Sequence, residues 1–386
     1  MQHAFYFEPV HEEILNVLET FQRLVLPLLL EQGLDDHTLT REVVRRMGMS
    51  GLLSLTVPAA FGGRFSPLDS RALCLAREVL GYESSLVDTA FAMQGLGSHP
   101  LALAGQKALQ QHWLPRVQEG KALAAFAITE PEAGSDVSSL STTAVLEGDH
   151  YVLNGLKRFI SNAGIADFYT LFARTGGSGS KGISAFLVEA HRPGLTVEPI
   201  ELMAAHPIGE VRLENVRIPV THRLGAEGEG FSLAMQTLDR FRPTVGAAAL
   251  GMARRALDEA LSYTHKRVQF GQPLVEQQLT KARLAEMATE LEAARLLVYQ
   301  AAWTKDKTSS RASREAAMGK LFATEAAQRI IDSALQLHGG NGVVKGSVVE
   351  RLYREVRALR IYEGTSEIQH IVIAADLIKS WRQQQS

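Results

Sequence analysis

The chain contains very little cysteine and no long apolar segment. Cys74 is the single cysteine among 386 residues, so an internal disulfide is excluded, and we expect this residue to serve packing in a reducing compartment. No run approaches the roughly 20 uninterrupted apolar residues that a membrane helix requires. The most apolar short run, residues 24–30, contains Pro27 and predicts a buried helix. Residues 1–9 lack a basic segment followed by an apolar one, so we expect an unprocessed, cytoplasmic protein with no membrane partner.

The charges of the chain favour neither sign. The 40 Lys and Arg residues nearly balance the 42 Asp and Glu residues, for a formal net charge of -2 at pH 7. They are spread along the sequence and form no basic stripe, so no nucleic-acid partner is expected. The histidines lack the paired spacing with cysteines or carboxylates that zinc requires, so no metal site is expected. With 46% hydrophobic residues, the composition fits an enzyme with a large core that acts on a small molecule.

Signals of a dinucleotide-binding fold are also absent. No G-x-G-x-x-G opens a strand–helix–strand unit, and the strand–helix alternation of such folds is missing. A nicotinamide cofactor is therefore not expected. The glycine-rich run 339–342 follows a predicted helix rather than a strand, which is typical of a helix end followed by a turn.

The hydrophobic pattern changes its period twice along the chain. Residues 10 to about 120 have helical spacing, and helical spacing returns from about residue 226 onward. Between them, residues 123 to 220 alternate in short runs bounded by turn residues, which is typical of strands. Strands are predicted at 151–153, 167–174, 183–189, 195–200 and 210–218, with a flexible hairpin loop at 176–180.

Long helices are predicted in the last region. Apolar residues recur every three or four positions from Val245 to Tyr263 and again from Leu284 to Ala301. On a third helix, Met318 and Ile331 continue the pattern, and the helix ends near Gln336. We interpret these stripes as core.

A carboxylate next to a glycine and two hydroxyls stands near the C-terminus. The run Ile361–Glu367 contains Glu363 directly before Gly364. In a largely apolar pocket such a carboxylate has a raised pKa, which suits it to removing a proton from carbon. On local grounds the same run is typical of a helix end followed by a capping turn. Glu363 is the best candidate for a catalytic base.

Two polar loops are suited to holding a bound polar ring. In 126–136 an apolar strand-like run opens into Thr, Pro, Gly and Ser residues, which offer hydroxyls and backbone N–H groups. In 154–164 a turn leads into a short strand that ends at Ser161 and small residues. Each loop alone is typical of a hairpin turn.

Taken in their order along the chain, these three segments resemble the acyl-CoA dehydrogenase family of flavoproteins. Further stretches of the same resemblance lie at 51–58 with 62–63, at 238–243, at 266–271 and at 336–342. The resemblance therefore spans nearly the whole chain. It implies a mainly helical fold with a β-barrel in the middle. The implied domains are an N-terminal helical domain at 1–122, a middle β-barrel domain at 123–225 and a C-terminal four-helix bundle at 226–386.

The resemblance also implies FAD as the cofactor. Phe159 stands where the family usually has Trp, which keeps an aromatic platform for the flavin. Arg267 is implied to meet the FAD pyrophosphate, because an arginine fork donates two hydrogen bonds to phosphate; on local grounds it is an exposed charge at a helix end. Gln336 and Gly340 are implied to reach the FAD of a neighbouring subunit, so a homodimer or homotetramer is expected. The implied cofactor-binding residues are Phe126, Ile128, Thr129, Gly134, Ser135, Phe159, Ile160, Ser161, Arg267, Phe270, Gln278, Gln336, Gly339, Gly340, Thr365 and Glu367.

The implied reaction is the α,β-dehydrogenation of an acyl thioester. Glu363 would remove the α-proton while the β-hydrogen leaves as a hydride to flavin N5, and hydrogen bonds to the thioester carbonyl would stabilise the developing charge. An electron-transfer flavoprotein is the implied electron acceptor. The implied substrate-binding residues are Ser135, Asp239, Arg242 and Gly364. On local grounds Arg242 is a helix-start residue paired with Asp239.

One segment departs from the pattern of the family. Residues 204–209 look shorter than the corresponding barrel loop, which weakens the expectation of an ordinary fatty acyl-CoA and leaves room for an acyl group on an acyl carrier protein, as in secondary metabolism. His206 in this loop is interpreted as a surface or hydrogen-bonding residue rather than a catalytic one. Two alternatives keep the fold: a flavin oxidase, although the retained Glu363 argues against oxygenase forms, and a non-catalytic flavoprotein.

Overall fold

The computed structural model describes residues 4–308 and 312–385, and most of these residues are helical. The α-helices are α1 (Pro9–Leu24), α2 (Leu26–Leu30), α3 (Asp36–Met49), α4 (Ser70–Glu83), α5 (Ser85–Ala104), α6 (Lys107–Gln118), α7 (Gly230–Lys266), α8 (Gln278–Lys307), α9 (Ser313–His338), α10 (Val348–Val356) and α11 (Ser366–Gln385). The strands are β1 (Ala124–Ala127), β2 (Thr143–Glu147), β3 (His150–Ser161), β4 (Phe168–Arg174), β5 (Ile183–Glu189), β6 (Leu195–Pro199), β7 (Ile208–Pro219), β8 (Arg223–Leu224), β9 (Val268–Gln269) and β10 (Gln272–Pro273). No helix in the described ranges combines the length and the apolar character that a bilayer crossing requires.

The chain packs into two compact units, and each is assembled from separate stretches of sequence. The first unit takes its described residues from Met1–Glu19, Ser70–Asp88 and Asp239–Ser386. The second unit takes its residues from Thr20–Asp69 and Thr89–Leu238. The three consecutive domains at 1–122, 123–225 and 226–386 stay a prediction.

A sheet of eight strands forms the centre of the second unit. Seven strands follow the order β6-β7-β3-β2-β4-β5-β8, and β1 pairs in parallel with β4. The predicted strands are confirmed, and the predicted hairpin loop at 176–180 joins the antiparallel pair β4 and β5. The strand order ends at β6 and β8, so closure of this sheet into a barrel stays a prediction.

Alternation along the strands builds the core of the second unit. On β7, Val211, Leu213 and Val216 are buried while the residues between Leu213 and Val216 face outward. Side chains on a strand point to opposite faces in turn, so Val211 and Leu213 share a face, and a register shift in the pairing with β3 brings Val216 to the same face. This face of β7 packs in the apolar cluster around Tyr151 and Phe186.

The first unit depends on a close approach of α4 and α7. An added Cβ at Gly251 would overlap the carbonyl oxygen of Glu78, and one at Gly81 would lie 2.8 Å from the carbonyl oxygen of Ala248. The two helices therefore meet backbone to backbone at these glycines, and almost all of α4 is buried. This packing brings side chains of α4 next to those of α7 around Thr244.

The third long helix, α9, buries a stripe of small residues. Ala316, Ala323 and Ala327 are buried at helical spacing, and Lys320 lies in the same stripe. Met318 lies off this stripe and its side chain is 40% exposed, so the prediction that Met318 is a core residue is wrong. The position of the stripe, rather than the hydrophobicity of a single residue, decides what α9 buries.

Candidate active site

Glu363 lies in a tight turn between the short 3-10 helix Arg357–Arg360 and α11. The backbone of Glu363 has φ +52°, and Gly364 follows with φ +94°. A left-handed conformation suits glycine but is strained for a glutamate, and such strain persists only where the surrounding structure enforces it. The orientation of the Glu363 side chain therefore depends on a backbone conformation that glutamate does not favour.

Helices α9 and α11 hold this turn. The carbonyl oxygen of Gly364 accepts hydrogen bonds from Lys320 Nζ and from Gln369 Nε2, both at 2.8 Å. Glu325, one turn further along α9, accepts from Ser366 Oγ at 2.6 Å and from Arg360 Nε at 2.8 Å. These bonds fix the chain before and after Glu363, which is what the strained backbone requires.

The Glu363 carboxylate is mostly buried and only partly satisfied. Its side chain is 10% exposed, and Oε1 lies 4.0 Å from Arg77 Nη1. The other oxygen, Oε2, is buried without a hydrogen-bond partner among the described residues. Burial raises the pKa of Glu363, and the charges of Arg77, Lys320 and Arg242 oppose that rise. Because buried polar atoms are nearly always paired, this unpaired oxygen marks Glu363 as a carboxylate that the described chain stabilises only in part.

Arg77 on α4 is locked beside Glu363. Its side chain is 2% exposed, and Nε and Nη2 donate to the two oxygens of Asp88 at 2.8 and 2.7 Å. Nη1 donates to Thr244 Oγ1 on α7 at 3.0 Å. Burial works against the charged form, yet the Asp88 carboxylate outweighs it and raises the pKa of Arg77. A fully buried, permanently charged group therefore stands next to the candidate base.

Lys320 is a second buried cation near Glu363. Burial lowers the pKa of Lys320 to about 8, against the opposing attraction of the Glu363 carboxylate. Its ammonium nitrogen donates to the neutral carbonyl of Gly364. The charge of Lys320 is therefore lost in mildly alkaline solution, whereas that of Arg77 is not.

The predicted substrate residues on α7 pair with each other. Arg242 Nη1 donates to Asp239 Oδ1 at 3.2 Å, and Ser313 Oγ donates to Asp239 Oδ2 at 3.2 Å. The pairing expected on local grounds is confirmed, but both residues lie inside α7, so the helix-start interpretation of Arg242 is wrong. Arg242 Nε is buried without a partner among the described residues. A substrate contact for Arg242 stays a prediction.

In the second unit, a buried ion pair anchors the loop that follows β1. Lys157 on β3 donates to Glu130 Oε1 at 2.8 Å and to the carbonyl of Ile128 at 3.2 Å. Glu130 also accepts from the backbone amides of Ser141 and Thr142. Burial disfavours the charged carboxylate, but Lys157 and these donors lower the pKa of Glu130 to about 2. The loop is thus held against β3 by the Lys157–Glu130 ion pair and by the hydrogen bond from Lys157 to the backbone carbonyl of Ile128.

Replacing Lys157 with methionine is expected to destabilise the protein by about 3–5 kcal/mol, because it leaves the Glu130 carboxylate buried without its cation. The measurement is urea denaturation followed by circular dichroism. The double replacement Lys157→Met with Glu130→Gln removes both charges and should recover much of the loss. Equal stability of Lys157→Met and the unmodified protein would contradict this account of the loop.

The end of β3 carries the aromatic and hydroxyl residues predicted to face the flavin. The pairing of β3 with β7 shifts register between Lys157 and Ile160, and within this bulge Phe159 adopts φ +56° with a half-exposed side chain. Ser161 Oγ lies 2.8 Å from His206 Nε2. Burial lowers the pKa of His206 to about 4, so this ring is neutral. The hydrogen-bonding interpretation of His206 is confirmed.

Other predicted flavin residues of the second unit divide into buried and open positions. Phe126 packs on Phe172 and Ile160 lies in the core of the sheet, so any flavin contact at these two positions comes from their main chain. Gly134 and Ser135 are exposed. Ser135 makes no hydrogen bond to another described residue. Ile128 and Thr129 are half-buried in the same loop.

The remaining candidates lie on the surface of the first unit. Arg267 directly follows α7 and is exposed, as expected on local grounds. Phe270, at the tip of the β9–β10 hairpin, has φ +52° and is 95% exposed. Exposed positions are also occupied by Gln278, Gln336, Gly339, Gly340 and Glu367, while Thr365 is half-buried. Their roles toward a cofactor stay predictions.

Three family models together match almost the whole chain. They are the acyl-CoA dehydrogenase N-terminal domain at residues 9–121, the middle domain at 125–216 and the C-terminal domain at 228–378. Cyclohexane-1-carbonyl-CoA dehydrogenase of Geobacter metallireducens is 40% identical over 88% of this chain and 89% of its own. The chain belongs to the acyl-CoA dehydrogenase family.

Other family members extend the comparison. Caffeyl-CoA reductase-Etf complex subunit CarC of Acetobacterium woodii is 37% identical over 97% of this chain and 100% of its own. An acyl-CoA dehydrogenase complexed with FAD, from Bacillus anthracis, superposes with a TM-score of 0.90 at 31% identity, covering 98% of this chain and 68% of that one. The prolyl acyl carrier protein oxidase AnaB superposes with a TM-score of 0.87 at 32% identity, covering 96% of this chain and 99% of that one.

The residues around Glu363 in this family member include several that sequence reasoning missed. Arg77, Asp88, Thr244 and Lys320 belong to no motif. The available signal was a charged residue within an otherwise apolar helical stripe, as for Lys320 between Ala316 and Ala323. Within the described ranges, no group of His, Cys, Asp and Glu residues is arranged to hold a metal ion.

Proposed function

We propose that this protein oxidises the α,β carbon–carbon bond of an acyl thioester, with Glu363 as the base that removes the α-proton. As a member of the acyl-CoA dehydrogenase family it is an oxidoreductase that acts on CH–CH bonds, and FAD is its cofactor. The observation that carries the proposal is the Glu363 carboxylate, presented by a strained turn with Oε2 buried and unpaired. The FAD complex and the acyl-CoA dehydrogenases among its relatives support the proposal.

Residues of the second unit fit a flavin. At Gly134 an added Cβ would meet no atom within 4 Å, and the φ of Gly134 lies outside the left-handed region. Nothing in the chain therefore requires glycine at this position, and the space beside it is open to a bound group. The neighbouring Ser135, the half-exposed ring of Phe159 and the Ser161 hydroxyl would contact the flavin and hold its orientation.

The chemistry assigned to Glu363 follows from its surroundings. Burial raises the pKa of its carboxyl, which makes the carboxylate a stronger base, and the charges of Arg77, Lys320 and Arg242 oppose that rise by favouring the ionised form. The backbone N–H of Glu363 donates to no other described residue, so it is available to the thioester carbonyl oxygen, where it would stabilise the developing enolate charge. FAD, when bound, accepts the β-hydrogen as a hydride at flavin N5.

The proposed partners are an electron-transfer flavoprotein and further copies of the chain. A relative named as a subunit of an Etf complex supports the first. For the second, we propose a homodimer or homotetramer in which Gln336 and Gly340 contact the FAD of a neighbour. The ring of Phe270, at the tip of the β9–β10 hairpin, is exposed and would be accessible to such a neighbour.

A second candidate substrate is an acyl group carried on an acyl carrier protein, with oxygen rather than a flavoprotein as the electron acceptor. The similarity to the prolyl acyl carrier protein oxidase AnaB favours this candidate. The connection between β6 and β7, residues 200–207, motivates it, because the sequence resemblance implies a loop shorter than that of typical family members.

The test is an anaerobic titration of the FAD-loaded protein with a panel of acyl-CoAs and acyl-carrier-protein thioesters, followed by the flavin absorbance. Bleaching by acyl-CoAs is expected. Bleaching by carrier-bound acyl groups alone, with hydrogen peroxide formed on aerobic turnover, would replace the first candidate by the second. A protein that retains FAD and is bleached by no acyl thioester would refute both.

A further inference from the structure

Arg77 has no assigned role in the proposed reaction, yet it is the charged group closest to the base. Its Nη1 lies 4.0 Å from Glu363 Oε1, too far for a hydrogen bond but close enough for strong attraction in a buried site. The following inference rests on the proposed function of Glu363.

The position of Arg77 is fixed by its own helix packing. Three hydrogen bonds, two to Asp88 and one to Thr244, hold the guanidinium. The close approach of α4 and α7 at Gly81 and Gly251 leaves these helices little room to shift. A preorganised charge of this kind costs no reorganisation during a reaction.

Ionisable groups face Glu363 from four helices and from its own turn: Arg77 on α4, Asp88 on α5, Arg242 on α7, Lys320 on α9 and the neighbouring Tyr362, whose phenol also interacts with Arg77. Lys320 donates to the carbonyl of Gly364 rather than to the carboxylate. Arg242 is engaged with Asp239. Arg77 is thus the cation whose guanidinium directly faces a carboxylate oxygen of Glu363 within 4.0 Å.

We propose that Arg77 is a positioning residue for the base: it attracts Oε1 of Glu363 and keeps the carboxylate ionised in a buried site. Asp88 fixes Arg77 and also limits the effect of its positive charge on Glu363.

The role of Arg77 predicts opposite effects for its charge and for that of Asp88. A cation near a carboxylate favours the ionised form, so removing both charges with Arg77→Met and Asp88→Asn should move the titration of Glu363 to higher pH. Removing only the anion, with Asp88→Asn, should move it to lower pH. Arg77→Lys keeps the charge but loses the two-pronged contact with Asp88, so it should shift the titration less than the double variant does.

Two measurements follow this titration in the FAD-loaded protein. One is the pH dependence of the rate of anaerobic flavin bleaching by the acyl thioester that the unmodified protein accepts. The other needs no turnover: the infrared C=O band of the protonated carboxyl, assigned to Glu363 by its loss in Glu363→Gln. For the double variant we expect both to shift upward by about one pH unit, or roughly a tenfold loss of rate on the acid side, with the rate plateau at high pH retained.

A matched control lies one residue further along α4. Glu78 accepts from Arg295 Nη2 at 2.6 Å in another buried ion pair, which is not among the groups with the largest influence on the pKa of Glu363. Arg295→Met with Glu78→Gln removes a pair of the same kind. The pH at which the bleaching rate falls on the acid side should stay unchanged in this variant. If the Arg77→Met, Asp88→Asn variant had a lower bleaching rate at every pH, with no shift in the pH at which the rate falls, Arg77 would have a structural role only.

An unshifted infrared titration of Glu363 in a folded, FAD-loaded double variant would overturn the inference. Failure of the proposed function gives a different result, because Glu363→Gln would then still be bleached by an acyl thioester, or no acyl thioester would bleach the unmodified protein. In either case the infrared titration still decides whether Arg77 controls the charge of Glu363.

Discussion

Replacing Glu363 with glutamine is expected to abolish the bleaching of bound FAD by an acyl thioester while FAD stays bound. Glutamine has nearly the same size as glutamate, so the turn held by Lys320 and Glu325 should be retained. Its amide cannot accept the α-proton, and the loss of a general base typically lowers a rate by about 10²–10⁴-fold. The measurement is anaerobic stopped-flow absorbance of the flavin after mixing with substrate.

The matched control is the same replacement at Glu286, an exposed residue of α8. Glu286→Gln removes an identical charge from the surface of the same unit and should bleach at the rate of the unmodified protein. If Glu363→Gln were reduced at that rate too, a different residue would be the base.

Replacing Gly134 with leucine is expected to prevent FAD binding without unfolding the chain. The backbone of Gly134 does not need glycine, and an added Cβ meets no atom within 4 Å. A branched side chain would instead occupy the space assigned to the flavin beside Ser135. The measurement is the FAD-to-protein ratio after purification, together with the circular dichroism spectrum.

Gly177, in the loop between β4 and β5, provides the control. It too is exposed, lies outside the left-handed region and has no atom within 4 Å of an added Cβ. Gly177→Leu should retain FAD at the native ratio. Full FAD occupancy in Gly134→Leu would contradict the assignment of this loop to the flavin.

Much of the fold could be predicted from local patterns because those patterns report which face of an element is buried. The run Ile183–Glu189 is apolar and short, and it forms β5 with nearly every residue buried. The spacing of apolar residues from Leu284 to Ala301 predicts α8 for the same reason. Closure of the sheet could not be predicted in this way, since it depends on which edge strands meet rather than on the alternation within any one strand.

The candidate site was only partly accessible to sequence reasoning. Glu363 was proposed because its run, taken together with the two polar loops, resembles the acyl-CoA dehydrogenase family; on local grounds alone the run is typical of a helix end followed by a turn. Arg77 could not be found, since its contacts to Asp88 and Thr244 exist only after α4 has packed against α7. Lys320 was missed for a related reason. Its acceptor, the carbonyl of Gly364, is 44 residues away in sequence, and the sequence pattern around a lysine in an apolar stripe does not identify such an acceptor.

The composition of the first unit limits how this protein can be divided or recombined. Helix α4, from residues 70–83, packs against α7 of the C-terminal half and supplies the arginine beside Glu363. A fragment that begins near residue 226 would expose the glycine-lined groove of α7 to water and leave Glu363 with less positive charge around it. Helix α4 and the C-terminal helices are far apart in the sequence, so the chain between them must be closed into a loop, at a cost in entropy, before their contacts can form. The first unit can therefore form only late in synthesis, after the C-terminal half has emerged. Chimeras between family members should therefore exchange residues 70–88 together with the C-terminal helices, since a crossover between them separates Glu363 from Arg77, the residue proposed to position it.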